Sequence, residues 1–319
     1  MSTIVRALAG ATLAVAFATT TLPSQQVVDT TFVPRLRGAP TYVRGKGPVV
    51  LIDQAHNNFH TASGGYAPFR KLLEADGFVV RPNAARFDSA SLGAARVLVI
   101  ANAVSAQNRA RDTWRLPSHS AFDAAEIASV ASWVRRGGSL LLIADHMPFA
   151  GAADSLASAL GVYFANGFAV PATAGKRPGE IVFRRGGGLV RHIITDGRSA
   201  LERVDSVVSF TGSAFRLGVS VPDAAPLMRL PAGTRMRMPI VAWEFSDSTP
   251  EFRGDDMLQG AVFRLGAGRI GVFGEAAMFS AQVTGPERSP MGMNAPYAAG
   301  NPQFVLNTLH WLARSLAAR

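Results

Sequence analysis

The chain has 319 residues, is 48% hydrophobic and 17% charged, and carries a formal charge of +10 with no cysteine. That composition suits a globular fold with an ample core and excludes bulk disorder. The absence of cysteine excludes a disulfide framework, a thiolate metal site and a cysteine nucleophile. The positive excess is nearly all arginine, in dispersed groups such as Arg109, Arg111 and Arg115, or Lys176, Arg177, Arg184 and Arg185, without interleaved aromatics. This reads as a solvated surface rather than a nucleic-acid face, with anionic envelope surfaces as the remaining polyanionic partner.

From the amino end, Met1 to Arg6 is a short basic segment, Ala7 to Ala18 is small and uncharged, and Ala16-Phe17-Ala18 fits a cleavage site. Residues 1–18 therefore read as a secretory signal, and the mature chain as periplasmic or extracellular. No later apolar stretch is long enough to span a bilayer. Residues 19–46, rich in Thr, Pro and Gly, read as a linker into one domain over 47–317.

Pro48 to Asp53 is a continuous apolar run ending at a carboxylate, the pattern of a central parallel strand. Tyr66 to Ala75 places Phe69, Leu72 and Leu73 on one helical face, with Gly77 as the stop. Val79-Val80 and Arg96 to Ala103 are further strands. Asp123 and Glu126 form a capping-box-like start to a helix whose stripe is Ile127, Val130 and Val134. Ser139 to Ala144 is a buried strand that ends at Asp145-His146, and Ala150 to Leu160 is helical.

Between about 161 and 259 the pattern is β-rich, with pieces at Ile181 to Phe183, Ser206 to Phe210 and Ile240 to Phe245. Gly260 to Leu265 and Arg269 to Gly274 flank Gly266-Ala267-Gly268 as a hairpin, and a helix from about Pro302 to Ser315 closes the chain. The alternation predicts an α/β fold, a mostly parallel sheet with helices on both faces and a β-rich C-terminal extension.

In such a sheet, ligands bind beyond the carboxyl ends of the strands. The groups delivered there are Asp53, His56, Asn57, Asn58 and His60; Asn102; Asp145 and His146; and Glu275, with Gln282 and Asn294 further along. His56, His60 and Asp145 are the candidate ligands of a divalent metal. Glu275, Asp53 and His146 are the candidate acid–base groups, and Asn57, Asn58, Asn102, Gln282 and Asn294 the candidate ligand-binding amides. Against this, strand-end carboxylates often cap helices, and loop histidines often bond only to backbone. Ser280 with His146 and Asp53 is the one nucleophilic arrangement, and it lacks a G-x-S-x-G elbow. The glycine clusters carry no phosphate-loop lysine. Trp243, Trp311 and the phenylalanines read as core.

The segments Val50 to Gly65, Gly138 to Gly151, Gly274 to Gln282 and Asn301 to Leu312 together resemble a family of exported bacterial proteins of unknown function. That family is related to the glutamine-amidotransferase-like domains of gliding-motility transport and intraflagellar-transport proteins. The matching pieces are Asp53 to His60, Ala144-Asp145-His146 and Gly274-Glu275-Ala276. The resemblance implies a flavodoxin-like, class I glutamine-amidotransferase-like sheet. Class I enzymes place a cysteine after the strand that here ends at Asp145-His146, so glutaminase chemistry is excluded. Two functions stay open: a hydrolase, metal-assisted or not, of an envelope or extracellular substrate, and a non-catalytic module binding a glycan, small molecule or protein partner. A pure scaffold is the third reading.

Overall fold

The apolar runs form one half of a 12-stranded sheet in the computed structural model, which describes residues 26–172, 179–221 and 223–316. Residues 1–18, the expected signal segment, and Lys176 and Arg177 lie outside the described residues. The elements that position the site are β1 (Val49–Asp53), α1 (Ala67–Ala75), β2 (Val79–Asn83), β3 (Val97–Ala101), α2 (Ala124–Arg135), β4 (Ser139–Ile143), α3 (Phe149–Ala159), β5 (Leu258–Leu265), β6 (Gly268–Phe273) and α4 (Asn301–Ala313). Strands β2, β1, β3, β4 and β6 lie side by side in that order, all parallel. This is the doubly wound order whose switch point falls between β1 and β3.

Residues along each parallel strand alternate between two covered faces. Val50, Ile52, Val97, Val99 and Leu141 pack with Phe69, Leu72 and Leu73 of α1 and with Phe304, Val305 and Leu309 of α4. Leu51, Leu98, Ile100, Leu140 and Leu142 pack with Val130 and Val134 of α2 and Leu156 of α3. Each fully buried aliphatic side chain contributes roughly 1.5–3 kcal/mol. Helix α2 starts as expected: Asp123 accepts from the Glu126 N–H at 2.8 Å, and Glu126 accepts from the Asp123 N–H at 3.3 Å.

The other half of the sheet is antiparallel. Strand β5 pairs with β6, then Ala225–Arg229 follows, and Glu180–Arg185 pairs with Ser206–Phe210. Two expectations need correction. Ile240 to Phe245 is not a strand; it is an irregular loop held by a single bridge between Arg115 and Val241. Its exposed Trp243 and Phe245 bury too little apolar surface to fix it in a sheet. The described part of the supposed linker belongs to the domain. Val27–Val28 pairs with Ala281–Thr284, and Phe32 enters the core. The Thr41 N–H donates to Asp76 Oδ1 at 2.9 Å. Among the described residues, no helix is long and apolar enough to cross a membrane.

The β5–β6 turn packs tightly onto α2. A Cβ at Gly268 would stand 2.1 Å from the Val134 carbonyl oxygen and 2.4 Å from that of Gly138. Neither is a flexible group that can move aside, so Gly268→Ala should destabilise the protein by at least about 2 kcal/mol in chemical denaturation. Ala at the open position Gly285 is unsuitable as a control because φ there is +71°; Gly38→Ala, with open space around it, should change stability little.

Candidate functional site

Asp53 ends β1 fully buried, and its carboxylate is saturated. It accepts the Ala55 N–H at 3.1 Å, Asn58 Nδ2 at 3.0 Å and His56 Nδ1 at 2.9 Å. On the far side of the ring, His56 Nε2 contacts Glu126 Oε1 at 2.9 Å. Both ring nitrogens face carboxylates, which only accept, so the imidazole is doubly protonated. Burial opposes that charge, but Asp53 and then Glu126 outweigh it and raise the His56 pKa. Burial likewise works against Glu126, yet Arg86 and His56 pull its pKa down to about 2. Phe87 and Phe122 flank the imidazole at 4.5 and 4.8 Å. His56 is thus a buried cation clamping the β1 loop to α2. It has no lone pair for a metal, and Asp53 has no free oxygen for acid–base work.

The asparagines brace the same loops. Asn58 Oδ1 accepts the His56 N–H at 3.1 Å, and Asn57 Nδ2 donates to the Val104 carbonyl at 3.3 Å. Asn102 Oδ1 accepts the Asp145 N–H at 3.0 Å. Asn57 and Asn102 sit at φ +48° and +50°, a left-handed conformation that asparagine tolerates better than most residues. Gln282 lies in the small sheet built from Val27–Val28, Ala281–Thr284 and Ser289–Gly292, and Asn294, just beyond that sheet, donates through Nδ2 to Asp29 Oδ2 and the Gln282 carbonyl.

Glu275 is fully buried, and its two oxygens accept the Ala277 and Met278 N–H groups at 2.7 and 2.8 Å. Burial and then Asp145 push its pKa well above the ordinary carboxylate range. It caps the turn at Ala277–Phe279 and has no face open to solvent, so it cannot activate a bound water. Tyr66 donates to the Ala276 carbonyl at 3.1 Å and stacks on His60, ring centres 4.7 Å apart. Burial, and then the neighbouring His146, push the His60 pKa down to about 3. Asp145, His146, His60, Tyr66 and Glu275 therefore share one neighbourhood, while His56 lies apart with Glu126. Among the described residues no group of three His, Asp or Glu side chains is arranged to hold a metal, so His56, His60 and Asp145 do not form the expected set.

His146 is the residue that remains available. Its Nδ1–H donates to the Met147 carbonyl at 2.6 Å, which leaves Nε2 as an acceptor. Phe168 stacks on the ring at 4.7 Å, and Trp243 meets it edge-on at 4.6 Å. Phe149 and Trp114 complete the surround at 5.7 and 6.4 Å. Outward from this ring, Arg111 lies over Phe59 and Trp114, and Arg237 over Phe245. Phe59 and Trp243 are each 45% exposed and Phe245 38%. Trp243 adopts φ +70°, a strained conformation for a bulky side chain. Its loop is pinned by the Ala242 N–H to the Trp114 carbonyl at 2.8 Å and the Leu116 N–H to the Ile240 carbonyl at 2.9 Å. Of the aromatics expected in the core, Phe149 and Phe168 are buried, whereas Phe59, Trp243 and Phe245 are exposed. The available signal was Trp243-Glu244-Phe245 running into the polar, proline-ended 246–250, which marks a loop.

No family model matches the chain, and no curated protein matches by sequence. Among solved structures, the mmIFT52 N-terminal domain aligns with a TM-score of 0.59 at 13% identity, covering 85% of this chain and 100% of that one. A ThuA-like protein from Bacteroides uniformis aligns at 0.46 and 14% identity over 86% of this chain and 95% of its own. The Salmonella typhimurium cytoplasmic protein STM3548 aligns at 0.44 and 14% over 83% and 98%. At these identities the likeness concerns the fold alone. The chain has an α/β, flavodoxin-like fold of the glutamine-amidotransferase-like type, with extra strands.

Removing His56 leaves Asp53 and Glu126 buried without their shared cation, so His56→Ala should cost about 3–5 kcal/mol. Because the folded-state pKa of His56 is raised above its ordinary 6.5, its stabilisation is complete below that value and is lost as pH rises through the raised one. The gap in unfolding free energy between wild type and His56→Ala should therefore be widest near or below about pH 6 and shrink toward alkaline pH, as read by urea titrations across that range.

Proposed function

We propose that this chain is a non-catalytic binding module whose carboxyl-edge surface takes a neutral glycan. The observation that carries this reading is a division among the edge residues. Asp53, His56 and Glu275 are consumed by internal hydrogen bonds, whereas His146 keeps one nitrogen free beside exposed Trp243, with exposed Phe59 and Phe245 on the surrounding surface. A sugar ring presents a face of weakly positive C–H groups to the negative face of an aromatic ring, and its hydroxyls need acceptors such as Nε2. Exposed Phe59, Leu116, Ile240, Trp243 and Phe245 add apolar area of the kind that marks interaction surfaces. A Trp held in a strained conformation at that surface is a further pointer to function.

Hydrolysis would need an acid and a base with open faces. Of the groups nominated for it, His146 alone keeps a free ring nitrogen, while Asp145 is buried and its Oδ1 accepts the His146 N–H. The reading includes export of the mature chain and, by the resemblance to gliding-motility and intraflagellar-transport domains, a place in an envelope transport or assembly system.

The test is calorimetric titration of the mature protein with a panel of neutral oligosaccharides, with the mixtures analysed for cleavage products. Trp243→Ala and His146→Ala should each weaken binding about tenfold or more while leaving the melting temperature nearly unchanged. Absence of binding across the panel would refute the glycan reading. Product formation that His146→Ala abolishes would replace it with the hydrolase.

A further inference from the structure

At the opposite end of the sheet, where β1, β3, β4 and β6 begin, lies a groove of about 800 Å³. Lys46, Arg96, Arg136 and Arg314 line it, Trp133 forms part of its wall, and no carboxylate of the described residues lines it. None of these four cations has an ion-pair partner among the described residues. Elsewhere on the surface Arg86, Arg185, Arg198, Arg216, Arg235 and Arg253 each have one.

The protein's own dipoles do not neutralise this charge. Helices α1, α2 and α4 finish around the groove, and each carboxyl end is equivalent to about half a negative charge. Together they offset roughly one and a half of four positive charges. Arg314 Nη2 is held by the Gly137 carbonyl at 3.0 Å, which fixes one guanidinium in place. The other cations are exposed and keep donors free. Nearby Arg269 has its pKa lowered by burial and then by Arg264 and Arg314, which shows positive charge accumulating at this end.

We propose that this groove is a binding site for a small polyanion bearing two or more phosphoryl groups, either free or as the headgroup of a lipid. Guanidinium groups match phosphoryl oxygens in forked, charge-assisted pairs, and an ammonium such as Lys46 adds a movable point charge. The volume lies in the range of small-molecule sites, and the Trp133 wall provides apolar contact for the part of the ligand that carries the phosphates. The site lies at the other end of the sheet from the aromatic surface and does not depend on the glycan reading.

The experiment is calorimetric titration of the full mature chain with sodium tripolyphosphate at low salt, and co-sedimentation with vesicles containing a bisphosphorylated lipid. Arg96→Gln and Arg136→Gln should each weaken tripolyphosphate binding about tenfold, and the pair about a hundredfold, whereas the surface control Arg109→Gln should leave it unchanged. Affinity should fall as sodium chloride is raised. Tripolyphosphate binding without vesicle binding assigns a free ligand; vesicle binding lost in the double variant assigns the headgroup. No binding of either, or binding that the double variant and the control reduce alike, overturns the proposal. Unchanged melting temperatures in the variants separate loss of the site from loss of the fold.

Discussion

Helices cover both faces of the parallel sheet, and the rest of the molecule follows from that constraint. With both faces apolar, polar side chains can emerge only at the strand ends. Those that emerge into a buried edge must find hydrogen-bond partners or become neutral. Asp53 and Glu126 share the His56 cation between them. Glu275 has no cation to share; its place beside Asp145 favours the protonated acid, still held by two backbone N–H groups. His60, packed on Tyr66, is neutral for the same reason in reverse. His56, Glu275 and His60 thus become a cation, a neutral acid and a neutral base through their local surroundings alone.

This sorting also changes what the edge can do. A cluster of histidines and acids invites a metal or an acid–base pair, yet satisfying those groups internally removes them from solution chemistry. What is left facing outward is mostly aromatic, with His146 at its centre and two arginines over its outer rings. The loop carrying Trp243 comes from the β-rich insert rather than from the parallel half of the sheet, and it docks on the segment after β3 through two main-chain hydrogen bonds. The β-rich segment therefore supplies part of the surface at the carboxyl edge of the parallel strands. The basic amino edge has the opposite character: its cations lie outside the packed faces, in water, where a lone charge is tolerated and can wait for an anion.

The architecture was legible in the sequence because it rests on local patterns. Runs of β-branched and leucine residues stopping at Asp53 and Asp145, the Asp123–Glu126 cap, and the glycine-rich turn after β5 each specify an element within a dozen residues. The carboxyl edge was legible as a place, since alternating strands and helices force strand ends together there. Asp145, His146, His60 and Glu275 do meet.

Which of those groups stays available was decided only in three dimensions. His56 reads identically to His60 in the sequence; it becomes a buried cation because Glu126, 70 positions away, faces its second nitrogen. Trp243 and Phe245 read as core because apolar residues usually are, and only the fold of the insert leaves them at the surface beside His146. Lys46, Arg96, Arg136 and Arg314 are scattered through the chain and gather because parallel strands all begin at one edge. Composition and periodicity determine which elements form, since those depend on neighbours in sequence. Protonation, exposure and charge clustering depend on neighbours in space, which the sequence alone does not reveal.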